Sequence, residues 1–111
     1  MEIWEKTLGD IYIIGICGRM DSINSKDIEA RLNSLINHER AKIIINLAEV
    51  DYISSVGLRI LLAALKKQKE KQGTIKIVSL QPFVRDIFKM TGFDKIFSIY
   101  SKEEDAVERY A

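Results

Sequence analysis

The run AKIIINLAEV, residues 41–50, constrains this chain most. After one charged residue it is almost continuously apolar and β-branched. A strand of that kind suits a position at the centre of a sheet, buried on both faces. Such a strand needs a layer above it and a layer below it. The rest of the chain is therefore read for elements that could supply them.

The first seventeen or so residues, with EIWEKTLGDIYIIGICG at their heart, read as two short strands about a turn at Gly9-Asp10. After a polar stretch, Ile28, Leu32, Leu35 and Ile36 fall at helical spacing, with Asn24 or Ser25 as the N-cap. A second helix follows the central strand. Leu58, Leu61, Leu62 and Leu65 form its apolar stripe, and Gly73 is its stop after a turn rich in lysine (Lys66, Lys67, Lys69, Lys71). Ile60 and Ala64 sit at the margin of that stripe, either under neighbouring helices or toward a docking surface. TIKIVSL reads as a strand. Pro82 opens a short helix with Phe83, Val84, Ile87 and Phe88 on its apolar face and Gly92 as its end. KIFSIY reads as a last short strand, and Ser101 with Glu104 fits the capping box of a terminal helix. The order is β-β-α-β-α-β-α-β-α. It predicts an α/β fold in one domain, residues 1–111, with a mixed, largely parallel sheet that opens antiparallel.

Bulk properties exclude several classes. The chain has 111 residues, 47% of them hydrophobic and 30% charged, with a formal net charge of +1. Nothing there argues for a nucleic-acid or membrane surface. No segment approaches the ~20 apolar residues of a membrane span. The charged N-terminal segment lacks the apolar centre of a secretory signal, so a cytoplasmic location is expected. Cys17, the single cysteine, lies in an apolar run and reads as a buried, inert thiol. The single histidine, His38, falls at the end of the first helix. With one histidine and one cysteine, no zinc site is expected. No phosphate-cradling glycine loop and no G-x-S-x-G elbow is present, and Asp21, Glu49 and Asp51 are scattered. Neither a cofactor nor an enzymatic activity is expected.

The segment DYISSVGLRILL, residues 51–62, carries the functional question. Ser54 and Ser55 stand where an extended approach meets a helix N-terminus. Serine there is a preferred cap, because its oxygen accepts an orphan backbone N–H. A phosphate on Ser55 would also be well placed, at the positive end of a helix and four residues before Arg59. The dipole contribution at an exposed site is ~0.3–1 kcal/mol in favour of the modified domain. Modification would leave the fold intact and place about −1.5 to −2 charges on its surface. At a docking surface, about 4 kcal/mol of repulsion is a thousandfold in affinity.

VDYISSVGLRILL resembles the signature of STAS domains of the anti-sigma factor antagonist type. In that family an apolar strand ends at an acidic or polar residue, and a phosphorylatable serine, a small residue and Gly-Leu follow. The resemblance puts the phosphoacceptor at Ser55, with Gly57 and Leu58 completing the pattern. GRMDSINSKDIEARL is similar to the family's turn before its first helix and places Asp21 near the acceptor. LQPFVRDIFKMTGFDKIFSIYSKEEDAV resembles its closing segment. The fold implied is STAS-like: four to five strands, with about four helices packed mainly on one face. The function implied is that of an anti-sigma factor antagonist. Unphosphorylated, it would bind an anti-sigma factor with serine kinase activity and free a sigma factor. Phosphorylation would switch it off, and a metal-dependent phosphatase would reset it. Asp21, Ser54, Ser55, Val56, Gly57 and Arg59 would form the docking surface. Two positions depart from the pattern: Ser54 stands where aspartate is common, and Val56 where a smaller residue is common. Ser54 is therefore the alternative acceptor. The alternative function is a STAS sensor or scaffold module that binds a nucleotide or a partner protein without phosphorylation.

Overall fold

A computed structural model of the chain describes residues 2–110. The elements are β1 (Glu2–Leu8), β2 (Ile11–Met20), α1 (Ser25–Asn37), β3 (Lys42–Ile53), α2 (Ser55–Glu70), β4 (Thr74–Val78), α3 (Pro82–Thr91), α4 (Phe93–Ile96), β5 (Ser98–Tyr100) and α5 (Glu103–Arg109). The five strands form one sheet in the order β1-β2-β3-β4-β5. β1 and β2 are an antiparallel hairpin, and every later pairing is parallel.

The spatial order of the strands is their order in the chain, so each parallel crossover steps the same way across the sheet. Crossovers prefer one hand, which sends the connecting helices to the same face. α1, α2 and α3 accordingly pack with Ile14, Ile43, Ile45, Ile75 and Ile77 in the main core. The opposite face is covered by α5 alone, where Ala106 meets Ile11, Ile13, Ile44 and Val78. Ile43, Ile44 and Ile45 are all fully buried, as the apolar run of the central strand requires. At the sheet edge, β1 is tied to both layers by successive residues. Glu5 pairs with Arg31 of α1 at 2.6 Å, and Lys6 pairs with Glu103 of α5 at 2.8 Å. No helix is long and apolar enough to cross a membrane among the described residues.

Several local expectations are corrected. A fifth, one-turn helix (α4) replaces the first half of the expected last strand, because Phe93 turns back onto Phe88 and Phe97 in an aromatic cluster. α5 begins at Glu103 and lacks a side-chain cap. Its Glu103 is drawn instead to Lys6 and Asn46. Cys17 is half-buried, because it faces the side of the sheet that only α5 covers. In α2, Ile60 and Ala64 are core residues and Leu62 is half-exposed, so the buried stripe is rotated from the one the leucines suggest.

The end of α2 is also built differently. The left-handed residue after the helix is Gln72, with φ 63°, and not Gly73. Gly73 is needed for space: a Cβ there would lie 2.5 Å from Nε2 of Gln68. Gln68 is 1% exposed, and it donates to the carbonyls of Arg40 at 2.6 Å and Thr74 at 3.3 Å. It joins α2 to the chain entering β3 and to β4. Replacing Gln68 with Leu should therefore cost about 1–3 kcal/mol, because two hydrogen bonds made by a buried side chain are lost. Urea unfolding should show a lower midpoint at unchanged slope, and an unchanged midpoint would contradict this role for Gln68.

Candidate functional site

The site lies where β2 and β3 end side by side. Their register pairs Arg19 with Tyr52 and Met20 with Ile53. Asp21 and Ser54 are the next residues of each strand, so the parallel register alone brings them together. The Ser54 N–H donates to the Met20 carbonyl at 2.9 Å and extends the contact by one residue. Ser54 is itself extended, with φ −93° and ψ 173°, and α2 starts directly after it.

The two serines divide the work. The Ser54 Oγ accepts from the Gly57 N–H at 3.2 Å, and its carbonyl accepts from the Leu58 N–H at 3.0 Å. It is the N-cap. Ser55 is the first helical residue and is exposed. Arg59, one turn further along, is exposed as well, and Val56 is half-buried against the core. Gly57 is enclosed: a Cβ there would lie 2.9 Å from both the Met20 carbonyl oxygen and Cγ1 of Ile53. The glycine lets the first turn of α2 approach the end of β2 closely.

Asp21 organises the loop into α1. Its Oδ1 accepts from the Ile23 and Asn24 N–H groups, each at 3.1 Å, and its Oδ2 lies 3.3 Å from Nε of Arg19. The Asn24 N–H, helped by Arg19, holds the Asp21 carboxyl below its ordinary value. Asn24 occupies the boundary of α1 but does not cap it; its side chain donates instead to the Arg19 carbonyl at 3.0 Å. Asp21 therefore binds its own loop beside Ser54.

Further side chains surround the site. The Arg19 guanidinium lies 4.1 Å from the centroid of the Tyr52 ring. Tyr52 also stacks on Phe83 of α3, with centroids 6.2 Å apart and planes 16° apart. Phe83, expected in the core, is 51% exposed, and Ile23 in the Asp21 loop is 86% exposed. Helical spacing places Phe83 on the buried face of α3, and the structure does not. Its place at the first turn of α3, beyond the end of β4, takes it off the core.

The STAS domain model matches residues 5–106. The chain belongs to the STAS family. Among curated relatives, BtrV of Bordetella bronchiseptica is 29% identical over 99% of this chain and 95% of its own length. The anti-sigma-F factor antagonist RsfB of Mycobacterium tuberculosis is 28% identical over 87% of this chain and 79% of its own. An anti-sigma factor antagonist from Mycobacterium paratuberculosis superposes with a TM-score of 0.90 at 24% identity, covering 97% of this chain and 92% of that one. That likeness shows the STAS fold.

The division between the serines is open to test by stability. Ser54→Ala should cost about 1 kcal/mol through the lost cap, whereas Ser55→Ala should change stability by less than about 0.5 kcal/mol. Equal effects in urea unfolding would contradict the assignment of the cap to Ser54. Asp21 adds a pH dependence. Its carboxyl is lowered in the fold relative to the ordinary 3.8, so the ionised form favours folding. That contribution is complete above the ordinary value and is lost as pH falls through the lower folded value. The stability difference between the natural chain and Asp21→Asn should shrink on going from neutral pH to strongly acid solution. A difference that stays constant would contradict it.

Proposed function

We propose that this STAS protein is an anti-sigma factor antagonist switched by phosphorylation of Ser55. The observation that carries the reading is the division at the start of α2: Ser54 is committed to the cap while Ser55 stands exposed beside it. A kinase can reach the Ser55 hydroxyl without opening the helix. The Ser54 Oγ is half-buried and already accepts from the Gly57 N–H, so Ser55 is the favoured acceptor. The curated relative RsfB, named an anti-sigma-F factor antagonist, supports the class of function.

In the unmodified state, the start of α2 and the Asp21 loop would meet an anti-sigma factor that is also a serine kinase. Asp21 fixes the loop, Gly57 sets the height of the helix, and Val56 and Arg59 flank the acceptor. The kinase would transfer the γ-phosphoryl group of ATP to the Ser55 oxygen, releasing ADP, and the hydroxyl proton would leave to base or solvent. The phosphate would sit over the positive end of α2, whose first N–H groups have no helical partner. The domain stays folded, and its docking surface gains a dianion. A metal-dependent phosphatase would hydrolyse the ester and restore the surface. The protein acts as substrate and binder in the cytoplasm, without catalysis of its own.

Incubation with ATP and the purified candidate kinase, followed by tandem mass spectrometry, tests this directly. The expected product carries one phosphate, on Ser55. Ser54→Ala should still be phosphorylated and Ser55→Ala should not. Phosphate on Ser54, or an unchanged yield in Ser55→Ala, would reject the assignment. No phosphate from a kinase proven active on another antagonist would leave a binding module. Calorimetric titration with nucleotides would then separate a sensor from a protein scaffold.

A further inference from the structure

The stack of Arg19, Tyr52 and Phe83 has a chemistry that the phosphorylation site does not use. A register shift lies between Gly18 and Arg19, and Gly18 adopts φ 105°. A bulge of this kind re-aims the side chain that follows it. Arg19 is held in two ways: its Nε faces Asp21 at 3.3 Å and its guanidinium lies over Tyr52 at 4.1 Å. Asp21 is in turn held by two backbone N–H groups. The Arg19 side chain is nevertheless 57% exposed, and its two terminal nitrogens have no hydrogen-bond partner among the described residues. The result is a pre-oriented, outward-facing fork of N–H donors. Beside it, on the same tyrosine, stands the exposed ring of Phe83.

We infer that Arg19 and Phe83, joined through Tyr52, are the specificity anchor of the docking surface, and that the anti-sigma partner presents to them an aspartate or glutamate next to an apolar side chain. This rests on the docking role proposed above for the start of α2. A planar guanidinium with two parallel N–H groups matches a carboxylate in a way an ammonium cannot. Arginine and large aromatic rings are also the residues that most often dominate binding at the centre of an interface. The sign of the charge agrees with the switch. A phosphate on Ser55 adds negative charge to the same docking surface and so repels a partner that is acidic there. Toward a basic partner the same phosphate would tighten the complex, and phosphorylation would not release it.

The test uses the purified anti-sigma factor and measures its affinity for the unphosphorylated full chain and for Arg19→Lys, Arg19→Gln and Phe83→Ala. Both positions are exposed, and thermal melting checks that each variant folds like the natural chain. Arg19→Gln should weaken binding roughly 30-fold or more, the usual cost of truncating one partner of an interfacial charge pair. Arg19→Lys should lose roughly tenfold, because the charge remains and the fork is lost. Phe83→Ala should lose about tenfold. In Arg19→Glu, replacing one acidic residue of the partner with arginine should restore binding. If the natural chain binds and the Arg19 variants bind equally well, the anchor is wrong and the antagonist reading stands. If Arg19→Lys alone is unimpaired, a diffuse charge effect replaces the carboxylate contact and the inference fails. If the natural chain neither binds nor is phosphorylated, the antagonist reading fails first and the anchor with it.

Discussion

The structure depends on the close approach of α2 to the end of β2. The Ser54 N–H bonds the Met20 carbonyl, and Gly57 passes that same carbonyl at a distance that leaves no room for a side chain. From this contact follow the place of the helix N-terminus, the capping role of Ser54 and the exposure of Ser55. Asp21 stands beside it because β2 and β3 run parallel in register up to Met20 and Ile53. A bulkier residue at position 57 would lift the first turn and pull the cap, Ser55 and the Asp21 loop apart together.

That geometry makes the proposed switch a surface event. Nothing in the core has to move for Ser55 to accept a phosphate, and the helix end supplies partial positive charge where the phosphate arrives. The domain underneath is held by a sheet whose central isoleucines are fully buried and by helices on both faces. Folding energy and switching energy are therefore largely separate. The first resides in the buried layers, and the second in charges on one exposed turn.

Much of this arrangement was readable from the chain itself. The central apolar run, the Gly9-Asp10 hairpin, the stripe of Ile28, Leu32, Leu35 and Ile36 and the left-handed stop at Gly92 all report local chemistry, and each is present. The serine pair was readable as a cap and as a candidate acceptor. Which serine does which depends on how α2 meets β2. What escaped has a common cause, namely tertiary neighbours. Gly73 resembles a helix stop, yet it serves the packing of Gln68. Phe83 has core periodicity, but its ring lies on Tyr52 at the very end of β3 and stays half in solvent. The Arg19–Tyr52 pair arises from strand register across a bulge, which no periodicity in a single segment displays.

The most direct measurement of the central claim is a comparison of backbone amide chemical shifts by NMR before and after phosphorylation by the kinase. Shifts confined to the first turn of α2, the Asp21 loop and the Arg19–Tyr52 end of β2 and β3 are expected, with the rest of the sheet and α5 unchanged. Shifts spread through the central strands would contradict it, because the phosphate would then act by reshaping the fold and not by recharging its surface.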